Sequence, residues 1–247
     1  MLTEPSSLPA LLLLADGRFP AGGHAHSGGF EAAAENEGVR DIASMEQFLL
    51  GRLHTVGFVA GAFAAAACAV SRACMLKHRG GDTEHATTVD LLTQLSPLDA
   101  EYNARTPSPV LRTVSRRLGR QVVRAGRQIW PHPALEQLAS VPSRGLHQPI
   151  AFGAVAASAG QLPKSAAVAT AQESIAGPAT ASVRLLGLDP FEVNAALARL
   201  SEEVSRVAER ADSYSHTPPG ELPSHAGYLL DISAEIHATW EVRLFAS

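Results

Sequence analysis

The amino-acid sequence predicts an all-α protein, and its composition, patterning and helix-end residues carry that prediction. Ala supplies 43 of the 247 residues, whereas aromatic residues make up only 5%. Because Ala is the strongest helix former and strands favour aromatic and β-branched side chains, this mixture favours closely packed helices. No segment alternates apolar and polar residues over a useful length. We therefore predict a single globular bundle of about eight to ten helices with a C-terminal partner-binding tail.

Helix-end residues place the first long helix. Ser44 with Gln47 predicts a capping box, and the apolar residues that follow recur at helical spacing. This helix is expected to run on through an Ala-rich stretch to Lys77. Gly57 and Gly61 within it predict either a break or a close crossing with another helix.

Two later helices begin with the same pair of residue types. In Ser108-Pro109 and in Asp189-Pro190 a capping side chain precedes a Pro, which is favoured at the first helical position. Between them, residues 164–186 are apolar at helical spacing, and Gly177-Pro178 predicts a break within that stretch.

A Pro-rich segment, HTPPGELP at residues 216–223, divides the chain because it cannot form a regular element. We predict an all-helical domain over residues 1–215, followed by a Pro-rich linker and an apolar C-terminal segment over residues 216–247. In that segment Leu229, Ile232, Ile236 and Trp240 follow helical spacing. An apolar ending of this kind is expected to be buried, either on the chain's own domain or, as we prefer, in a partner's groove.

The charge of the chain excludes some partners and hides a basic helix. With 20 basic and 24 acidic residues the formal charge is −4, so no overall basic field indicates nucleic acid. Between residues 104 and 131, however, there are seven Arg and no acidic residue. Four of them share one helical stripe: Arg112, Arg116, Arg120 and Arg124. The stripe is interpreted either as a solvated or internally paired face, or as a docking face for an acidic partner or a phosphate.

The Gly-rich stretch AGGHAHSGGF at residues 21–30 invites catalytic interpretations, and each lacks a required residue. A phosphate loop needs a Lys that is absent here. Ser27 stands in a near match to a nucleophile elbow, but no strand precedes it. His24 and His26 are two residues apart and have no second ligand pair, so we predict no metal ligands. A helical serine hydrolase using Ser27 remains the alternative function.

Cysteines and apolar runs indicate a cytoplasmic protein. Cys68 and Cys74 lie six residues apart in an apolar stretch, which predicts buried thiols in a reducing compartment. The run at residues 8–14 lacks the basic flank of a secretory signal. Residues 53–71 and 145–163 carry no formal charge, but their Ala, Gly and polar content favours buried helices over membrane spans.

Three segments carry a resemblance to a known family. They are LLLADGRFPAGGHAHSGGFE at residues 12–31, TASVRLLGL at residues 180–188 and DISAEIHATWEVRLFAS at residues 231–247. In combination, and in this order over essentially the whole chain, they resemble the UreF family of urease accessory proteins. Two departures occur: Phe30 replaces the usual Leu, and Gly187-Leu188-Asp189-Pro190 replaces a Pro-Leu-Gly-Gln type sequence.

The resemblance implies a maturation chaperone that is not an enzyme. Members of this family are all-α proteins, usually dimeric, that bind urease accessory protein D, called H in some systems. That pair recruits the GTPase accessory protein G, and the assembly delivers nickel to the urease apoprotein. We therefore expect an adaptor that modulates the GTPase. It is expected to hold no cofactor of its own, because the complex handles nickel. Neither nucleic acid nor a membrane is expected as a partner.

The resemblance also assigns roles to residues. The terminal Arg-Leu-Phe is implied in docking to the D/H partner, and the internal basic position in dimer or GTPase contact. The resemblance and the apolar pattern of the C-terminal segment together predict these partner-binding positions: Arg184, His237, Trp240, Arg243, Leu244, Phe245 and Ser247. The N-terminal positions are implied as interface or scaffold, not as a catalytic set: Asp16, Pro20, Gly23, His26, Ser27, Gly29 and Glu31. The Arg stripe offers candidates for an Arg supplied to the GTPase.

Overall fold

The computed structural model describes residues 7–36, 38–77, 90–139 and 145–245. Eleven α-helices and no β-strand occur in these ranges, which confirms the all-α prediction. The helices are α1 (Leu8–Leu14), α2 (Phe30–Asn36), α3 (Ile42–Arg52), α4 (Phe58–Lys77), α5 (Leu91–Ala104), α6 (Pro109–Ile129), α7 (Pro133–Ala139), α8 (Gln148–Ser158), α9 (Pro163–Leu186), α10 (Pro190–Asp212) and α11 (Tyr228–Ala238). A π-helical turn, Leu53–Gly57, joins α3 and α4 into one rod.

The predicted caps of α6 and α10 are confirmed. The Ser108 hydroxyl accepts a hydrogen bond from the Leu111 amide at 3.1 Å. The Asp189 carboxylate accepts one from the Phe191 amide at 2.9 Å. In each case the Pro that follows the cap has no N–H to leave unpaired, which is why the pair starts a helix so reliably.

The predicted start of α3 was wrong by three residues. Asp41, not Ser44, is the N-cap: its carboxylate accepts from the Ser44 amide at 2.8 Å, and the Ser44 hydroxyl accepts from the Asp41 amide at 3.1 Å. Ser44 is therefore the third helical residue of a capping box that begins at Asp41.

Helix α4 lies at the centre of the bundle and contributes to both hydrophobic clusters. Phe63, Ala64 and Cys68 pack in a cluster with α5, α6, α7 and α8, whereas Phe58 and Ala62 pack in a second cluster with α2, α3, α9 and α10. The Ala content of α4 leaves a thin helix that neighbours approach closely on two sides. The tight packing expected from composition is thus concentrated around one helix.

Glycines mark the closest helix crossings. A Cβ on Gly153 of α8 would lie 2.4 Å from the carbonyl oxygen of Ala64 in α4. One on Gly126 of α6 would lie 2.4 Å from a methyl carbon of Val155 in α8. Gly57 likewise has room for no side chain, since its Cβ would lie 2.6 Å from the hydroxyl of Ser174 in α9. The interpretation of Gly57 as a close crossing is therefore correct.

The break predicted at Gly177-Pro178 does not occur, and α9 runs through both residues. Pro178 has no N–H, so the carbonyl of Ser174 loses its partner one turn earlier. The Nε of Arg52, the last residue of α3, donates to that carbonyl at 2.8 Å. A side chain from another helix thus replaces the hydrogen bond that Pro178 removes.

One helical rod, Ile42–Leu76, is long and apolar enough to cross a membrane by length and composition. Its most apolar window is 72% buried inside the fold, as befits the central helix of a bundle. The second uncharged stretch forms α8, whose residues from Pro149 to Ala157 are all buried. Both stretches therefore serve as core helices.

Residues 216–245 pack against the rest of the chain. An Nη of Arg105 donates to the carbonyls of Gly220 at 3.0 Å and Leu222 at 3.1 Å, and the Leu222 side chain is buried. Helix α11 then contacts α6 and α2. The Pro-rich linker is thus held at Gly220 and Leu222, while the division at residue 216 stays a prediction.

Replacing Arg52 by Met should destabilise the fold by about 1–3 kcal/mol, because the Ser174 carbonyl is left unpaired. In a Pro178→Ala background the cost should be smaller by about 1 kcal/mol, since the Ala introduced there has an N–H that restores the helical bond. Urea unfolding of the four chains of this cycle measures both quantities.

The control for this cycle is Arg199→Met, which removes an exposed ion pair with Glu46. It should cost well under about 1 kcal/mol. An equal cost of Arg52→Met in both backgrounds would contradict the account of Pro178.

Candidate partner-docking surface

Two carboxylates of α11 make hydrogen bonds to the body of the protein. Glu235 accepts hydrogen bonds from the Val110 amide at 3.0 Å and from the Ser108 hydroxyl, and Asp231 accepts from the Ser108 amide at 3.2 Å. Both carboxylates thus bind the N-terminus of α6, where unpaired amides and the helix dipole favour negative charge. The hydrogen bond from Ser108 lowers the pKa of Glu235, whereas burial raises the pKa of Asp231.

The apolar side of α11 faces solvent. Leu229, Ile232 and Ile236 are 66%, 56% and 48% exposed, and their spacing of three and four residues places them on one face, here named the α11 stripe. A surface helix normally buries such a stripe and exposes its charges. On α11 the buried side chains are instead Ser233, Ala234 and His237, so the stripe is available to another molecule.

The chain after α11 returns to the body at a single carboxylate. Glu31 of α2 is buried, and its Oε2 accepts from the His237 Nε2 at 2.8 Å and from the Phe245 amide at 3.1 Å. Its Oε1 accepts from the Leu244 amide at 2.8 Å. These three hydrogen bonds are named the Glu31–tail contact.

Next to the Glu31–tail contact, some side chains of the tail are buried and others face solvent. Phe245 is buried, whereas Leu244 is 72% and Val242 83% exposed. Trp240 is half-buried, with its ring centroid 4.8 Å from that of His237. The ending that the sequence singled out therefore packs partly on its own domain and partly faces solvent.

A Gly-containing turn positions Glu31 at the start of α2. The buried Ser27 hydroxyl accepts from the Glu31 amide at 3.3 Å. Gly28 and Gly29 have φ of +62° and +89°, which L side chains rarely adopt. A Cβ on Gly29 would lie 3.1 Å from a methyl carbon of Leu230 in α11, so the turn also brings α11 close.

The N-terminal positions singled out from the sequence separate into two groups. Ser27, Gly29 and Glu31 lie together beneath α11 and the tail. The others lie elsewhere: a half-buried Asp16, an exposed Pro20, a half-buried Gly23 and a half-buried His26. Asp16 pairs with Arg18 at 2.8 Å, and the side-chain hydrogen bond from Arg18 lowers the pKa of Asp16 to about 2.

The Arg stripe is divided between internal and exposed positions. Arg112 donates to the carbonyls of Thr106 and Pro107, both at 2.7 Å. Arg116 donates to Asp99 at 2.9 Å and to the Gly145 carbonyl at 2.6 Å. The internally paired interpretation is therefore correct for these two. Arg120 and Arg124 are exposed.

The structure was also searched for metal ligands. Within the parts of the chain that are described, no three His, Cys, Asp or Glu side chains gather to hold a metal ion. The side chain of His24 and the whole of Ser247, both of which figure in the sequence predictions, lie outside the described parts.

A groove of about 600 Å³ lies beside the tail. Trp240, Val242 and Leu244 line one side, and Leu185 and Leu186 at the end of α9 line another. Arg184, the internal basic position, is exposed next to this end of α9. Glu31, Glu35, Asn36 and Arg40 also line the groove, so its wall is mixed, and the exposed apolar surface of the C-terminal part is the α11 stripe with Val242 and Leu244.

Comparison with known proteins identifies the family. The UreF family model matches residues 39–201. The chain is 36% identical over 242 residues to the urease accessory protein UreF of Mycolicibacterium vanbaalenii, covering 98% of this chain and 100% of that protein. It is 37% identical over 244 residues to the UreF of Mycobacterium marinum, with the same coverage of both chains. The chain belongs to the UreF family of urease accessory proteins.

Membership of the UreF family places the chain among urease accessory proteins, which are not enzymes. The environment of Ser27 agrees, because its side chain is fully buried and its hydroxyl caps α2. A nucleophile must reach substrate, and this hydroxyl does not. The alternative of a serine hydrolase is therefore set aside.

The residues that hold this UreF surface in place were not predicted from the sequence. Asp231 and Glu235 are four residues apart on α11, and that spacing places them on one helical face. Nothing in the sequence indicated that the face would bind the start of α6, 123 residues away along the chain.

A buried His lies where Asp99 and Arg116 meet α8. The His147 amide donates to Asp99 at 2.7 Å, and its Nε2 lies 3.2 Å from the Asn103 Oδ1, an acceptor to which it donates. Nδ1 is buried, with no hydrogen-bond partner among the described residues. Burial lowers the pKa of His147 to about 4, so the ring is neutral at neutral pH.

The UreF fold should therefore lose stability as the pH falls from 6.5 towards 4. In this window the unfolded chain protonates His147 near its ordinary pKa of 6.5, whereas the folded chain does not. We expect this group to cost about 2 kcal/mol of unfolding free energy between pH 7 and pH 4.5. His147→Asn should remove that part of the pH dependence in urea unfolding.

The exposed His216 gives the matched control, since His216→Asn should leave the pH dependence unchanged. A pH dependence of His147→Asn identical to that of the original chain would contradict the proposed neutrality of His147.

Proposed function

We propose that this UreF-family chain acts as an adaptor in urease maturation, and that the α11 stripe is its docking surface for urease accessory protein D/H. The single observation that carries the proposal is the outward orientation of Leu229, Ile232 and Ile236. Burial of the exposed half of each aliphatic side chain by a partner contributes about 1–2 kcal/mol, to which the rest of the interface adds.

The exposed part of the tail belongs to the same proposal. Val242 and Leu244 add apolar area, and the exposed Arg243 between them adds a charge at the rim. An apolar centre with a charged rim is the usual anatomy of a protein–protein interface. Phe245 has a different part, because it anchors the tail to α2.

The adaptor is proposed to act with further partners. With the D/H protein it recruits the GTPase accessory protein G and promotes nickel insertion into apo-urease in the cytoplasm, as a homodimer. The exposed Arg184 is proposed to contact the second copy or the GTPase, and the exposed Arg120 and Arg124 are candidates for modulation of GTP hydrolysis. Family membership and the free apolar surface support an adaptor that has no chemistry of its own.

The test is a charge placed at the centre of the stripe. Ile232→Asp should weaken binding of the co-expressed D/H protein by at least about 100-fold, because a carboxylate would be desolvated in an apolar interface. The melting temperature should stay nearly unchanged, since Ile232 is more than half exposed. Isothermal titration calorimetry on the full chain gives the affinity.

Leu12→Asp is the matched control, because Leu12 is equally exposed on α1 and lies outside the proposed surface. It should leave the affinity unchanged. Unaltered binding by Ile232→Asp would overturn the proposed surface. A point variant is preferred to removal of the tail. Removal would also take away the hydrogen bonds that the Leu244 and Phe245 amides donate to Glu31.

A further inference from the structure

We propose that Glu31 is a positioning residue for partner recognition: its carboxylate fixes the tail so that Phe245 faces the body and Val242 and Leu244 face the partner. The inference rests on the proposed function, because it concerns the same surface. It gives a role to an N-terminal residue that is more than 200 positions from the tail it holds.

The geometry of the Glu31–tail contact carries the proposal. Two consecutive amides, those of Leu244 and Phe245, donate to the two different oxygens of one carboxylate. Such a double contact fixes the rotation of the chain as well as its position, because turning the tail about its axis breaks both bonds. The opposite exposures of the two side chains are the result: 72% for Leu244 and 8% for Phe245.

The third donor links the tail to α11. The His237 Nε2 donates to the oxygen that also accepts from Phe245. His237 is buried on α11, so Glu31 binds the helix and the tail at once. The α11 stripe and the outward residues of the tail are therefore held in one fixed arrangement, which reduces the entropy that a partner must remove on binding.

A carboxylate suits this position better than an amide. Three donors point at Glu31, and a carboxylate offers acceptor sites on both oxygens, whereas an amide offers one oxygen and directs an NH₂ group at the remaining donors. Hydrogen bonds to a charged acceptor are also about twice as strong as neutral ones. Gln is similar in size and shape, so it tests the acceptor chemistry with little change in packing.

Glu31→Gln in the full chain should bind the D/H protein at least about tenfold more weakly. In the same variant the Leu244 and Phe245 amides should exchange with deuterium faster, while amides in the middle of α4 keep their protection. The exchange measurement separates positioning from general stability, because a purely stabilising residue would change protection throughout the fold. Glu202→Gln, an exposed change on α10, is the control and should alter neither readout.

His237→Phe is the second variant. It removes one of the three donors and keeps an aromatic ring beside Trp240. Its affinity for the D/H protein should fall below that of the original chain, so the proposal stays testable even if Glu31→Gln folds poorly.

The outcomes distinguish this inference from the proposed function. Weaker binding by Ile232→Asp together with unchanged binding by Glu31→Gln and His237→Phe would overturn the positioning role and leave the docking surface intact. Weaker binding by Glu31→Gln with unchanged exchange at Leu244 and Phe245 would also overturn it. If Ile232→Asp binds normally, the docking surface itself is wrong.

Discussion

The close approach of α8 to α4 is the constraint on which the rest of the structure depends. Gly153 lets the backbone of α8 reach the Ala64 carbonyl of α4, and Gly126 in turn lets α6 approach Val155 of α8. The position of α6 fixes the position of its N-terminus, and that N-terminus receives Asp231 and Glu235 from α11. Side chains as small as Gly and Ala in the core therefore determine where the apolar stripe on the surface lies.

The position of the tail also depends on the N-terminal loop. The turn at Gly28 and Gly29 starts α2 so that Glu31 faces inward, and Glu31 collects donors from α11 and from the tail. Two motifs at opposite ends of the chain thus form one unit. Their joint appearance in the sequence has a physical explanation, since Glu31 of one motif accepts all three hydrogen bonds from the other.

Local features were predictable and distant ones were not. The caps at Ser108 and Asp189 followed from residues adjacent in sequence, and so did the helical spacing of the α11 stripe. The continuity of α9 through Pro178 could not be predicted from adjacent residues. The group that compensates for Pro178 is Arg52, which lies 122 residues from its partner Ser174 along the chain. The orientation of α11 was hidden for the same reason: the apolar pattern gives the face of a helix but not the side on which the body lies.

The pairing of Arg52 with the Ser174 carbonyl has a consequence for how the family can change. A Pro at position 178 costs less stability where a donor already reaches the carbonyl one turn before it. Gain of the proline is therefore less costly in a chain that already has the arginine, and loss of the arginine is less costly once the proline is gone. Among relatives the two positions should vary together, although they belong to helices that are far apart in sequence.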